Sequence, residues 1–99
     1  MGNAGLADRY AAALYELADE GKVLDRVAAD LRQISTMLDA SADLVRLIRS
    51  PVLGRADQGR AMKAVLDKAG VDALTGKFVG LVAKNRRLFT LPAMIKAFL

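Results

Sequence analysis

Apolar residues recur along this chain with the period of a helix. Leu24, Val27, Ala28, Leu31, Ile34 and Leu38 fall at the i, i+3, i+4, i+7 spacing that draws one stripe down one face of an α-helix. The spacing returns in Leu44, Leu47 and Ile48, in Met62, Val65, Leu66 and Ala69, in Val71, Leu74, Phe78, Leu81 and Val82, and in Leu91, Met94, Ile95 and Phe98. Glycine and proline fall between the stripes and β-branched runs are missing. The pattern predicts an all-α fold, a compact six-helix bundle over residues 1–99 as a single domain, with no internal repeat, linker or low-complexity segment.

Local signals set the expected boundaries. The first helix runs from about Ala4 to Glu20, with Asn3 as N-cap and Gly21 as a left-handed stop. The second covers Lys22 to Asp39. The third follows the cap Ser41-Ala42-Asp43 and ends at Ser50-Pro51, because proline disfavours helical geometry in the residue before it. After the Pro51 to Gly54 loop comes a fourth helix with only a glycine as its cap, stopped by Gly70. Asp72 caps the fifth, which ends at Asn85-Arg86-Arg87 with cations suited to a helix C-terminus. The sixth begins near Thr90 or Leu91 and takes Pro92 in its first turn. The sequence stops at Phe98-Leu99 inside an apolar pattern and without a cap, so the polypeptide is expected to continue.

The first helix carries more apolar surface than one stripe. Within RYAAALYELAD, residues Ala11 to Tyr15 are all apolar. At about 100° per residue the arc from Ala13 through Leu6, Leu17, Tyr10 and Leu14 to Tyr15 fills roughly two thirds of the circumference, against about one third for an ordinary surface helix. The fifth helix has a similar excess, with Val79 and Ala83 beside its main stripe. It also holds Gly76 and Gly80, and each glycine costs about 1 kcal/mol in a helix interior, which points to close approach of another backbone. Two readings fit. Both helices are central and buried on two sides, or together they leave an apolar groove that receives a partner's helix. Periodicity does not separate the two.

Composition narrows the chemistry. The chain has no Cys and no His, which removes disulfides, thiol nucleophiles, the usual general base and the commonest metal ligand. With no Gly-rich phosphate loop either, no catalytic residue, cofactor site or metal site is expected, and the chain reads as a non-enzyme. Carboxylates such as Asp19 with Glu20, or Asp39 with Asp43, lie on acidic helix surfaces and read as solvated. The longest apolar run is far short of the roughly 20 residues that span a bilayer, and MGNAGLADRY has no basic region followed by an apolar one. No direct membrane insertion is expected, and a cytosolic or matrix-like location fits.

The formal charge of +4 is unevenly spread. Up to Asp43 there are four basic and eight acidic residues, and from Leu44 onward eleven and three. Lys84-Asn85-Arg86-Arg87 could hold phosphate or RNA, or could simply match the dipole of a helix end. A helical RNA-binding, antitermination-like bundle using the basic half is therefore the competing class. Aromatic residues are not interleaved with the cations, so no stacking platform is present in the sequence and no nucleic-acid partner is expected.

Three segments carry a family resemblance: ADRYAAALYELADE near the N-terminus, SPV at Ser50 to Val52, and LVAKNRRLFTLPAMIKAF from Leu81 to Phe98. In this order and at these separations they resemble the δ subunit of bacterial F-type ATP synthase, the counterpart of the mitochondrial oligomycin-sensitivity-conferring protein. The resemblance covers that family's N-terminal domain, a six-helix bundle, and leaves out the C-terminal region that reaches the b subunits of the peripheral stalk. It implies a stator domain on the cytoplasmic face of the bacterial inner membrane that holds the N-terminal helix of an α subunit between its first and fifth helices. The implied groove residues are Leu6, Tyr10, Ala13 and Leu14 on the first helix and Phe78, Leu81, Val82 and Asn85 on the fifth. Which of them face the groove and which the core stays open. Tyr15 stands where the family often has Phe.

Overall fold

The computed structural model describes residues 5–99, and Asn3 and Ala4 lie outside them. Among the described residues six α-helices follow one another: α1 Leu6–Glu20, α2 Leu24–Ala40, α3 Ala42–Arg49, α4 Arg55–Ala69, α5 Ala73–Lys84 and α6 Leu91–Phe98, with a 3₁₀ turn at Leu88–Thr90 before the last. No helix among the described residues is long and apolar enough to cross a membrane. The core stripe of α2 is the one the spacing predicts, and Val27, Leu31 and Ile34 are fully enclosed. Around it pack Leu14 and Ala18 of α1, Met62 and Leu66 of α4, Val79 and Val82 of α5, and Leu91 and Met94 of α6.

Helix ends follow the local chemistry with one displacement. Ser41 accepts the Leu44 N–H at 3.1 Å and Asp72 accepts the Leu74 N–H at 3.0 Å, each satisfying a donor that the first turn leaves orphaned. Gly70 closes α4 in the left-handed region at φ 73°. Gly21 does not close α1 in that way. Its φ is −80°, and the left-handed residue is Lys22 at φ 58°. The Val23 N–H reaches back to the Ala18 carbonyl at 2.8 Å and the Lys22 N–H to Asp19 at 3.1 Å, the paired bonds of a Schellman motif set one residue later than expected. This turn uses Lys22, so α2 starts at Leu24. The same device ends α5, where Arg86 has φ 60° and Arg87 bonds back to Val82 at 2.9 Å. A side chain in this region costs about 1–2 kcal/mol, and a cation there is partly offset by the helix C-terminal dipole, at about 0.3–1 kcal/mol.

Two buried polar side chains hold elements together. Gln58 on α4 donates to the carbonyls of Leu47 at 2.9 Å and Ile48 at 3.3 Å, covering acceptors that α3 leaves open at its end. Asp30, on the core-facing side of α2, accepts from the backbone N–H of Asp72 and the hydroxyl of Thr75, both at 2.8 Å, and pairs with Arg26 at 3.2 Å. A carboxylate this buried needs such donors. Together they fix the start of α5 against α2. The exposed pairs Asp43–Arg46, Asp57–Arg60 and Lys63–Asp67 lie within single helices and contribute little.

Candidate functional site

Helix α1 packs chiefly along α6, and α5 chiefly along α4. Between α1 and α5 this leaves an open, mostly apolar cleft of about 550 Å³. The α1 wall consists of Leu6, Arg9, Tyr10, Ala13 and Leu17, with buried Leu14 at the floor; the α5 wall consists of Leu74, Lys77, Phe78 and Leu81. The walls meet through side chains. The Tyr10 and Phe78 rings lie edge to face with centroids 6.4 Å apart, and the Asn85 amide donates to the Tyr10 hydroxyl at 2.9 Å.

The surplus apolar arc of α1 thus divides into two uses. At about 100° per residue, Ala13, Leu6, Leu17 and Tyr10 point toward the cleft, Leu14 turns inward, and Ala18 and Ala11 are buried. Tyr15 leaves this order and packs on Phe98 of α6, with centroids 5.7 Å apart. On α5 the division falls between neighbours. Leu81 is 50% exposed on the cleft wall, and Val82 is 0% exposed within the core. Of the eight residues expected to form a groove, Leu6, Tyr10, Ala13, Leu14, Phe78 and Leu81 line the cleft, Asn85 stands at its edge bonded to Tyr10, and Val82 does not reach it. Val82 belongs with Val79 and Ala83 on the buried side, because one residue along a helix turns the side chain by about 100°.

Four lining residues were missing from the expectation. Leu17 and Leu74 sit inside the apolar arcs and could have been found by helical angle. Arg9 and Lys77 could not, because apolar patterning assigns every cation to solvent. Among the described residues Gly76 and Gly80 do not receive the backbone of another element, since a Cβ at either position would meet none of its atoms within 4 Å. They border a second cleft of about 480 Å³ between α4 and α5. Of the basic run after Lys84, Arg86 makes the left-handed turn and Asn85 holds Tyr10.

Residues 6–99 match the family model described as ATP synthase delta (OSCP) subunit. The chain belongs to that family. The ATP synthase subunit delta of Rhodospirillum centenum is 57% identical over 98 residues, which is 99% of this chain and 53% of that protein. The subunit delta of Parvibaculum lavamentivorans is 56% identical over 94 residues, covering 95% of this chain and 48% of the relative, and that of Rhodospirillum rubrum is 52% identical over 98 residues, with 99% and 53% covered. The chain spans about half the length of the curated relatives it matches. In this delta-family chain large apolar side chains line the cleft between α1 and α5, and no other element among the described residues covers it.

Proposed function

We propose that this delta-family chain is a clamp of the ATP synthase stator, holding the amphipathic N-terminal helix of an α subunit in the cleft between α1 and α5. The observation that carries the reading is the half-exposed Leu81, set with Leu6, Leu17 and Phe78 around an apolar trough. A partner helix laid into such a trough buries its own apolar stripe, with anchors at i, i+3, i+4 and i+7. The role is mechanical rather than catalytic. Torque from the central shaft acts on the catalytic head, and a domain bound tightly to an α subunit resists rotation when the remainder of the delta subunit grips the b subunits of the peripheral stalk. The site of action is then the cytoplasmic face of the bacterial inner membrane.

Tight binding suffices for this work. A few well-packed anchors in a largely preformed groove give nanomolar affinity, equivalent to about −12 kcal/mol. Calorimetric titration of this chain with a synthetic α-subunit N-terminal peptide is the test. The reading expects one site per chain, a submicromolar dissociation constant and a negative heat-capacity change from apolar burial. No measurable binding at tens of micromolar peptide would remove it.

A further inference from the structure

The two walls of the cleft are written in matching registers. Leu6, Arg9, Tyr10, Ala13 and Leu14 on α1 correspond in spacing to Leu74, Lys77, Phe78, Leu81 and Val82 on α5, so each helix reads Leu, cation, aromatic, apolar, apolar, and the first four positions of each line the cleft. The correspondence covers a single helix face and is not a repeat of whole segments. By helical angle the last position of each series turns toward the core, the aromatic and the leucines form the wall, and the cation lies about 60° beyond the leucine on the side away from the core. Arg9 and Lys77 are exposed and lie one on each wall. They are the charged residues of the cleft lining, and neither belongs to any of the four ion pairs among the described residues. Lys77 stands on the crest of α5 and borders the α4 cleft as well.

We infer that Arg9 and Lys77 form a two-sided charge clamp, and that the occupant of this cleft is a helix from another protein chain whose apolar stripe carries Asp or Glu on both flanks. The inference rests on the proposed helix-binding role and names the chemistry of the partner. An apolar trough alone accepts any amphipathic helix in several rotations about its axis. Cations on both lips select one rotation and reject a basic helix, since placing like charges together at an interface is costly. Their aliphatic stems extend the apolar wall while the charged heads remain at its rim, within reach of carboxylates on the occupant.

Two synthetic 18-residue helices with the same Leu/Ile stripe, one flanked by Glu and the other by Lys, are titrated into the chain and into its R9E/K77E variant. The wild-type chain is expected to prefer the Glu-flanked peptide by about tenfold or more, as two rim pairs of modest strength allow. The variant, with both changes at exposed positions, should melt at the wild-type temperature and reverse the preference. Equal affinities for the two peptides, or a preference that the double reversal leaves unchanged, overturns the clamp while the groove stands. If neither peptide binds, or if Leu81→Asp leaves the binding of both unchanged, the groove reading itself fails and the clamp with it.

Discussion

Leu81 and Val82 are chain neighbours on α5 with similar side chains, yet half of Leu81 meets solvent and none of Val82 does. The same division runs along α1, where Leu17 is 52% exposed on the cleft and Ala18 is fully enclosed by the core. One set of apolar residues holds the bundle together. The other is stable in the fold without contributing much to it, at the cost of apolar surface left in water. Surplus hydrophobicity on a helix thus has two meanings, which differ in what a charge does when placed there. In the core it should unfold the domain, and on the cleft wall it should abolish binding of the proposed partner helix.

The largest effect belongs to the core side. Val82→Asp puts an unpaired carboxylate among Val79, Leu31 and other enclosed residues. Burial of such a charge costs several kcal/mol, a large part of the 5–15 kcal/mol that stabilises a domain of this kind. Circular dichroism should show an unfolded chain, or a melting temperature lowered by more than about 20 °C. A variant that melts like the wild type would place Val82 outside the core and erase the contrast with Leu81.

Asp30→Ala should come next. It leaves the Thr75 hydroxyl and the Asp72 N–H without their acceptor at the start of α5, and each orphaned buried group costs about 1–3 kcal/mol. A loss of about 2–4 kcal/mol in urea unfolding is expected. It should be accompanied by weaker peptide binding, because the α5 wall is then less firmly held. The smallest effect is on the far side of α5. At Gly80 a Cβ meets open space, so Gly80→Ala removes a helix-interior glycine at no steric cost and should stabilise by about 0.5–1 kcal/mol. Affinity in the α1–α5 cleft should be unchanged. A drop in that affinity would show that the two sides of α5 are not independent.

The fold was legible because its signals are local. Ser41, Asp72, Gly70 and Pro51 act through their own backbone neighbours, and the α2 stripe needs only a period. What escaped depends on distant residues. Lys22 rather than Gly21 takes the left-handed turn because Gly21 keeps right-handed angles as the cap residue and Val23 bonds back to Ala18. Nothing local marks Asp30, because the groups that converge on it, Asp72 and Thr75, lie more than forty residues away. For the cleft, angle alone gathers Leu6, Tyr10, Ala13 and Leu17 on one side of α1 but does not say that α5 stands opposite. The boundary between Leu81 and Val82 is set by that placement, and so is the use of Arg9 and Lys77 as lining.

Leu81→Asp tests the central claim most directly, with melting and peptide titration performed on the same sample. A charge on the cleft wall stays hydrated in the free domain, whereas in the complex it is desolvated without a partner at a cost of several kcal/mol. The account predicts a melting temperature within about 3 °C of the wild type and at least a hundredfold weaker binding of the α-subunit N-terminal peptide, about 2.7 kcal/mol. A variant that stays folded and binds as tightly as the wild type would contradict it.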